Sequence, residues 1–237
     1  MEEKAKETNK TKKKKAVGFK TNKKGQHICG FLNFLRIFIF PFVYLVKPFR
    51  YYGNYKIGKG AYVYVCNHYA LLDSAYIVGT TWEGLHIIAK KEVLDNAFLA
   101  WLSGNVGVIP VNRDGNDVRA LLDCFKCLKN GEKIVIFPEG TRNKTEAEML
   151  PFKHGASVMA IKTKTPIIPM VIYKKPKFFR CTHILVGEPL EFTEYYDRKL
   201  TDADYAEADE KLRNLMLKMR ADHTEYLLSK KNKKKKA

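Results

Sequence analysis

Cysteine is scarce in this 237-residue sequence and comes in an odd number: Cys29, Cys66, Cys124, Cys127 and Cys181. The basic leader is too long for a signal peptide and no small-residue cleavage site follows it. A disulfide-stapled extracellular scaffold is therefore disfavoured, and reduced thiols in a cytosolic compartment fit best. Cys124 and Cys127 form a Cys-x-x-Cys, but inside a helical pattern and with no second pair, so helix packing is expected there rather than metal or redox chemistry. The six histidines show no ligand spacing, His183 and His223 being isolated, and no metal or other cofactor is called for. There is one long apolar stretch, which allows at most one membrane span. Acid is also short, with 25 Asp and Glu against 43 Lys and Arg. No internal repeat is visible.

The surplus charge is concentrated at the two ends. Residues 1–25 hold ten Lys against Glu2, Glu3 and Glu7, and residues 230–237 hold six Lys and no acid. Both segments lack an apolar pattern and read as disordered tails. Lysines of this kind are attracted to anionic lipid, at roughly 1 kcal/mol each near a charged leaflet. Solubility is the plainer account. Nucleic acid is disfavoured, because nothing aromatic interleaves with the lysines for base stacking. Between the tails, Cys29 to Val46 reads CGFLNFLRIFIFPFVYLV, interrupted by Asn33, Arg36 and Pro41. An Arg at a helix centre costs roughly 2.5–3.5 kcal/mol on insertion scales, and Pro41 would kink the helix. The segment reads as helix lying in the membrane interface, with a single tilted span as the competing reading. The expected organisation is a tail (1–25), a membrane-associated helical segment (26–55), a folded domain (56–229) and a second tail (230–237).

The folded part alternates. Strand-like runs occur at 61–66 (AYVYVC), 85–89 (LHIIA), 106–111 (VGVIPV), 133–137 (KIVIF), 166–172 (PIIPMVI) and in THILVGEPLEF. Helical spacing occupies 74–80, 91–103, 117–130 and 155–163. A long amphipathic helix from about 202 to 229 follows, with Thr201 and Asp204 as its cap. This predicts an α/β fold, a mostly parallel sheet flanked by helices, with an N-terminal membrane-anchoring helical segment.

Chemistry in such folds gathers just after the strands. Asn67-His68-Tyr69-Ala70-Leu71-Leu72-Asp73 follows the first run. On a continuous helix, His68 and Asp73 would point about 140° apart. They meet only if His68 sits on a turn and Asp73 on the first helical turn. Asp73 would then orient one ring nitrogen, leaving the other to take a proton. No Ser or Cys nucleophile stands beside the pair, so the reacting hydroxyl belongs to the substrate on this reading; a structural His capped by Asp is the alternative. Phe137-Pro138-Glu139-Gly140-Thr141-Arg142 follows another strand. There Gly140 allows close backbone approach, Thr141 supplies a hydroxyl and Arg142 a fork for phosphate, while Glu139 suits ligand hydroxyls or a pair with Arg142. The segment Gly107-Val108-Ile109-Pro110-Val111-Asn112-Arg113 ends a strand in an arginine suited to phosphate. Lys153 and His154 begin a helix whose amide end favours an anion.

The order Asn-His-x-x-x-x-Asp, Gly-x-Ile-x-x-x-Arg, Phe-Pro-Glu-Gly-Thr-Arg and Pro-Ile-Ile-Pro resembles the four blocks of the glycerolipid acyltransferase family, whose best-known members are 1-acylglycerol-3-phosphate acyltransferases. The resemblance spans roughly residues 60–190. It implies His68 as general base, Asp73 as its orienter, Arg113 holding the glycerol phosphate and Glu139 with Gly140 binding substrate, Thr141 and Arg142 alongside. Pro169 matches the proline of the last block. Two departures stand out: the second block reads Val-Ile-Pro-Val-Asn-Arg, and His154 replaces a more usual Arg or small polar residue. The implied reaction moves an acyl group from acyl carrier protein or coenzyme A to a lysophospholipid acceptor, with Arg113, Arg142 and Lys153 on the phosphate and backbone amides near Gly140 on the oxyanion. Sibling reactions on glycerol 3-phosphate or another lysolipid, and an inactive membrane-surface binding protein, are the rivals. The basic flanks and reduced cysteines place the expected site of action at the cytoplasmic face of the cell membrane.

Overall fold

A computed structural model describes residues 30–55, 57–112 and 117–236. The N-terminal tail (1–25), Cys29 and Arg113 lie outside the described residues. In chain order the elements are α1 (Gly30–Phe38), α2 (Phe40–Val46), β1 (Phe49–Gly53), β2 (Tyr62–Cys66), α3 (Asp73–Val78), β3 (Leu85–Lys90), α4 (Ala97–Val106), β4 (Val108–Val111), α5 (Val118–Lys129), β5 (Lys133–Ile136), α6 (Gly155–Thr163), β6 (Ile167–Ile172), β7 (Thr182–Val186) and α7 (Asp202–Lys236). The strands form one sheet in the order β1-β7-β6-β2-β5-β3-β4. All neighbours are parallel except β6 and β7. The expected mostly parallel α/β sheet is therefore what forms, and β2, β5, β3 and β6 deliver their C-terminal ends to one edge.

The alternation of β2 divides the core. Val63 and Val65 face a cluster with Cys124, Cys127, Met159, Ala160, Leu212 and Met216, contributed by α5, α6 and α7. Tyr64 and Cys66 face the other layer, with Tyr76 and Ile77 of α3 and Leu32 of α1. Every residue of β6 is buried, as a central strand covered on both faces requires. Helix α7 opens with the expected cap, the Thr201 amide donating to Asp204 at 2.7 Å, and buries Ala208, Leu212 and Met216 at four-residue intervals.

Two expectations need correction. Phe49–Gly53, read as part of the helical segment, is strand β1, paired in parallel with β7. The C-terminal lysines continue α7 as far as Lys236 instead of forming a separate tail; lysine is a good helix former, and positive charge suits a helix C-terminus. The apolar stretch is two short helices of nine and seven residues, and among the described residues no helix is long and apolar enough to cross a membrane. Pro41 sits in the first turn of α2, where its missing N–H does no harm.

Arg36 and Asn33 have a job other than spanning lipid. Arg36 is buried, donating from Nε to the Val78 carbonyl at 3.1 Å and from Nη1 to Asn33 at 2.5 Å. Val78 ends α3, so the guanidinium meets a helix C-terminus, where a cation is favoured. The polar side of α1 thus latches onto the domain and leaves Phe34, Ile37 and Phe38 outside.

Candidate active site

His68 stands where β2 stops, and its position is set by buried neighbours on both sides. Asn67 is fully buried, donating to the Ile172 carbonyl at 3.1 Å and accepting from the Ile172 amide at 2.8 Å, which ties the end of β2 to the end of β6. The chain then turns into α3, whose first residue is Asp73. Asp73 Oδ2 accepts from the amides of Tyr69 (2.6 Å) and Ala70 (2.7 Å) and lies 3.0 Å from His68 Nδ1. One buried carboxylate oxygen, at the positive end of a helix, therefore shapes the turn and orients the imidazole. Among the described residues nothing bonds His68 Nε2, and the side chain is 18% exposed. The sequence-derived geometry, His on the turn and Asp on the first helical turn, is the observed one.

Phe137 follows β5 and stacks on the His68 ring at 4.2 Å between centroids. Glu139 is turned inward, with no pair to Arg142. Its Oε1 accepts from the His68 amide at 2.9 Å and its Oε2 from the Leu150 amide at 3.0 Å. Burial raises its carboxyl above the ordinary glutamate range, and those two amides pull the other way. Glu139 thus clamps the histidine turn to the 139–150 loop, a role its residue type did not disclose. The Gly140 amide donates to the Phe137 carbonyl at 3.0 Å and is already engaged in a turn. Gly140 has φ +67°, and a Cβ there would come within 3.0 Å of the Lys153 side chain, which lies across it. Thr141, Arg142 and Lys153 are exposed on the same rim.

A cavity of about 970 Å³ opens beside this rim. Ile88, Leu121, Ile136, Phe152, Val158 and Met159 give it an apolar wall, and Pro138, Gly140 and Lys153 stand at the polar end. Phe137 belongs both to this wall and to the stack on His68. Arg113 is outside the described residues; Asp117 accepts from the Asn112 amide at 2.9 Å and caps α5. Those amide donors hold the Asp117 carboxyl below its usual range.

Sequence reasoning missed what α7 does here. Arg213 donates to the carbonyls of Leu150 and Met149, and Arg220 bonds the Tyr69 hydroxyl at 3.0 Å and Glu148 at 3.1 Å. Arg213 ties the end of the 139–150 loop to α7, and Arg220 joins that loop to the His68 turn through Tyr69. Their signal was their helical spacing of seven, which reads equally well as solvent-facing charge. His154, the unusual residue, bonds buried Asp209 of α7 at 2.8 Å, a pairing that explains its presence. Cys124 and Cys127 are packed helix residues, their thiols pushed up by burial, Cys127 to about 12. At the opposite edge of the sheet His86, Cys127 and Glu132 come together, the His86 Nε2 lying 3.3 Å from Glu132. That cluster is remote from His68.

The site is thus a histidine held by a carboxylate at the C-terminal edge of an α/β sheet, near a largely apolar cavity that Lys153 borders. Residues 48–173 match the family model described as "Acyltransferase", more than half of the chain, and the protein belongs to that family. It is 36% identical over 141 residues to the 1-acyl-sn-glycerol-3-phosphate acyltransferase of Helicobacter pylori, covering 57% of each chain. It is 34% identical over 126 residues to the Saccharomyces cerevisiae protein of the same name, covering 51% of this chain and 41% of that one. The match spans between about a third and two thirds of the length of the curated relatives, 57%, 32% and 53% for three of them. Its structure is similar to that of the 1-acyl-sn-glycerophosphate (LPA) acyltransferase PlsC from Thermotoga maritima, with a TM-score of 0.57, 25% identity, and coverage of 78% of this chain and 79% of that one.

Proposed function

We propose that this chain transfers a fatty acyl group from acyl carrier protein or coenzyme A to the sn-2 hydroxyl of 1-acylglycerol 3-phosphate, giving phosphatidic acid. The observation that carries this reading is the His68–Asp73 pair, its Nε2 open, next to a largely apolar cavity that Lys153 borders. The names of the matched relatives specify the acceptor and support the same choice.

His68 Nε2 takes the proton of the acceptor hydroxyl as that oxygen attacks the thioester carbonyl carbon. The carbon–sulfur bond then breaks, and the imidazolium returns the proton to the departing thiolate, so the histidine ends as it began. General-base help of this kind contributes roughly 10²–10⁴ in rate. Asp73 fixes the tautomer and stabilises the imidazolium. Lys153, Arg142 and Arg113 hold the phosphate and so orient the hydroxyl, an effect that can exceed that of the base. The apolar cavity accepts an acyl chain. With the Gly140 amide engaged by Phe137, the thioester oxyanion draws on other donors. Glu139 acts by positioning the His68 backbone, and Thr141 lines the acceptor's approach.

The reaction takes place at an anionic membrane surface, on its cytoplasmic face. Supporting this is the apolar outer side of α1 and α2, where Phe34, Ile37, Phe38, Phe42 and Leu45 are all exposed. Two helices this short suit burial in one leaflet, a monotopic attachment through α1 and α2.

The test is thiol release from acyl-CoA or acyl carrier protein on adding lysophosphatidic acid, for wild type and His68→Ala side by side. Release that needs both that acceptor and His68 is the expected result. Release with glycerol 3-phosphate or a different lysolipid instead overturns the acceptor, and a fully active His68→Ala protein overturns the base.

A further inference from the structure

The β6–β7 connection reads YKKPKFFRC from Tyr173 to Cys181 and contains three Lys, one Arg and no acid. Its tip leaves Phe178 65% and Phe179 75% exposed, among the most exposed large apolar side chains described. Lys174, Lys175, Lys177 and Arg180 are exposed around them. A single exposed apolar residue needs no explanation, but two adjacent rings ringed by cations form a patch of definite character.

The hairpin is also fastened to the membrane-facing part of the chain. The Phe179 amide donates to the carbonyl of Val46, the last residue of α2, at 2.8 Å. The Lys47 ammonium lies 4.5 Å from the centre of the Phe178 ring. The Thr182 amide donates to the Pro48 carbonyl at 2.8 Å. The two phenylalanines thus adjoin the end of α2, whose Phe42 and Leu45 are 69% and 72% exposed. Phe179 has φ +53°, in the left-handed region that a bulky aromatic avoids. Packing gives no return for this strain, because the ring is mostly in solvent. Strained conformations of that kind concentrate where a surface has work to do.

We infer that residues 174–180 are a second membrane-docking element, which sets Phe178 and Phe179 into the interface of an anionic bilayer beside α2. This rests on the membrane-surface reading above and adds to it a named element. The basic ring supplies attraction to anionic headgroups, and the two rings supply apolar area. Together with α1 and α2 the hairpin gives the domain two points of attachment, which fix its tilt and hold the His68 rim at a set height over the leaflet. An acidic carrier protein would also be drawn to the cations, but it has no need of two protruding phenylalanines.

Cys181 adjoins this tip and is the exposed free cysteine among the described residues, the thiols of Cys66, Cys124 and Cys127 being buried. In the full chain with Cys29→Ser, a polarity-sensitive dye on Cys181 reports the surroundings of the hairpin. Vesicles of phosphatidylglycerol and phosphatidylcholine are expected to shift its emission to the blue, and phosphatidylcholine alone to shift it much less. In unlabelled protein, Phe178→Ser with Phe179→Ser is expected to weaken sedimentation with the anionic vesicles about tenfold or more. Replacing Lys174, Lys175 and Lys177 with Gln should weaken it on the order of a hundredfold at low salt. Turnover of a short-chain, fully dissolved lysophosphatidic acid should stay at the wild-type rate in both variants. Unchanged sedimentation of the Phe178/Phe179 variant overturns the inference, as does a dye shift produced by acyl carrier protein and not by vesicles. Absence of turnover in every form, with vesicle insertion intact, tells against the acyltransfer reading while supporting the docking element.

Discussion

Asp73→Asn separates the two duties that one oxygen performs. All three contacts of the carboxylate fall on Oδ2: the amides of Tyr69 and Ala70 and the His68 Nδ1. An asparagine with its amide oxygen in that place keeps the turn and the ring orientation and removes only the charge. A unit charge 3.0 Å from an imidazolium stabilises it by roughly 5 kcal/mol at an effective dielectric near 20. The neutral oxygen dipole retains part of this, so the barrier should rise by about 2–4 kcal/mol, or roughly 30- to 1000-fold in kcat. KM for the acceptor should hold, since Asp73 is buried and does not line the rim.

The same substitution carries a stability cost that the structure locates. Asp73 Oδ1 is buried without a hydrogen-bond partner, so the new amide nitrogen goes where no acceptor waits. An unsatisfied buried donor costs about 1–3 kcal/mol, a fall of several degrees in Tm for a domain of this size. Asp73→Ala, in contrast, strands two amides and frees the ring, and should lose fold and activity together. Thiol-release kinetics and thermal melts on the three proteins decide the matter. If Asp73→Asn melts lower yet keeps kcat within twofold of wild type, the carboxylate only holds the turn, and the charge argument is wrong.

Three further outcomes follow from the geometry. Gly140→Ala places a Cβ at φ +67° against Lys153, so about 1–2 kcal/mol of stability should go and acceptor KM should rise severalfold as Lys153 moves, with kcat little changed; melts and initial rates over acceptor concentration check it. Leu121→Trp fills part of the cavity wall and should shift donor preference toward shorter acyl chains, read as kcat/KM across a series of acyl-CoA lengths. His223 lies 2.9 Å from His183, between α7 and β7, with Tyr52, Tyr173 and Tyr226 around it and Arg50 and Lys174 beside His183. Burial first, and then His183, bring His223 down to about 4 from an unfolded value near 6.5. The folded chain therefore binds this proton more weakly than the unfolded chain. The linked stability is whole above about pH 6.5 and is lost as pH falls toward about 4. Denaturant melts at pH 7 and pH 5 should show this loss in wild type and less of it in His223→Phe.

The fold was legible wherever periodicity and burial pull in one direction. AYVYVC and PIIPMVI read as buried strands because both faces of β2 and β6 are covered, and the cap at Thr201 and Asp204 is written in four adjacent residues. Strand β1 was not legible. Phe49–Gly53 continues an aromatic run from two helices, and what makes it a strand is β7, more than a hundred residues downstream. The same distance effect misled the reading of Arg36. Counted along a helix it is a charge spoiling an apolar run, but folded it is the latch that meets the end of α3, forty-two residues away.

The site divides along the same line. His68 and Asp73 are five residues apart, and only one local geometry lets them meet, so their relation was deducible without the fold. Glu139 was visible as an acid after a strand, yet its use depends on the amides of His68 and Leu150, which no spacing rule brings together. Its inward turn also keeps the one acid of that block off the surface: Glu139 spends its charge on backbone N–H groups, while Arg142 and Lys153 are exposed.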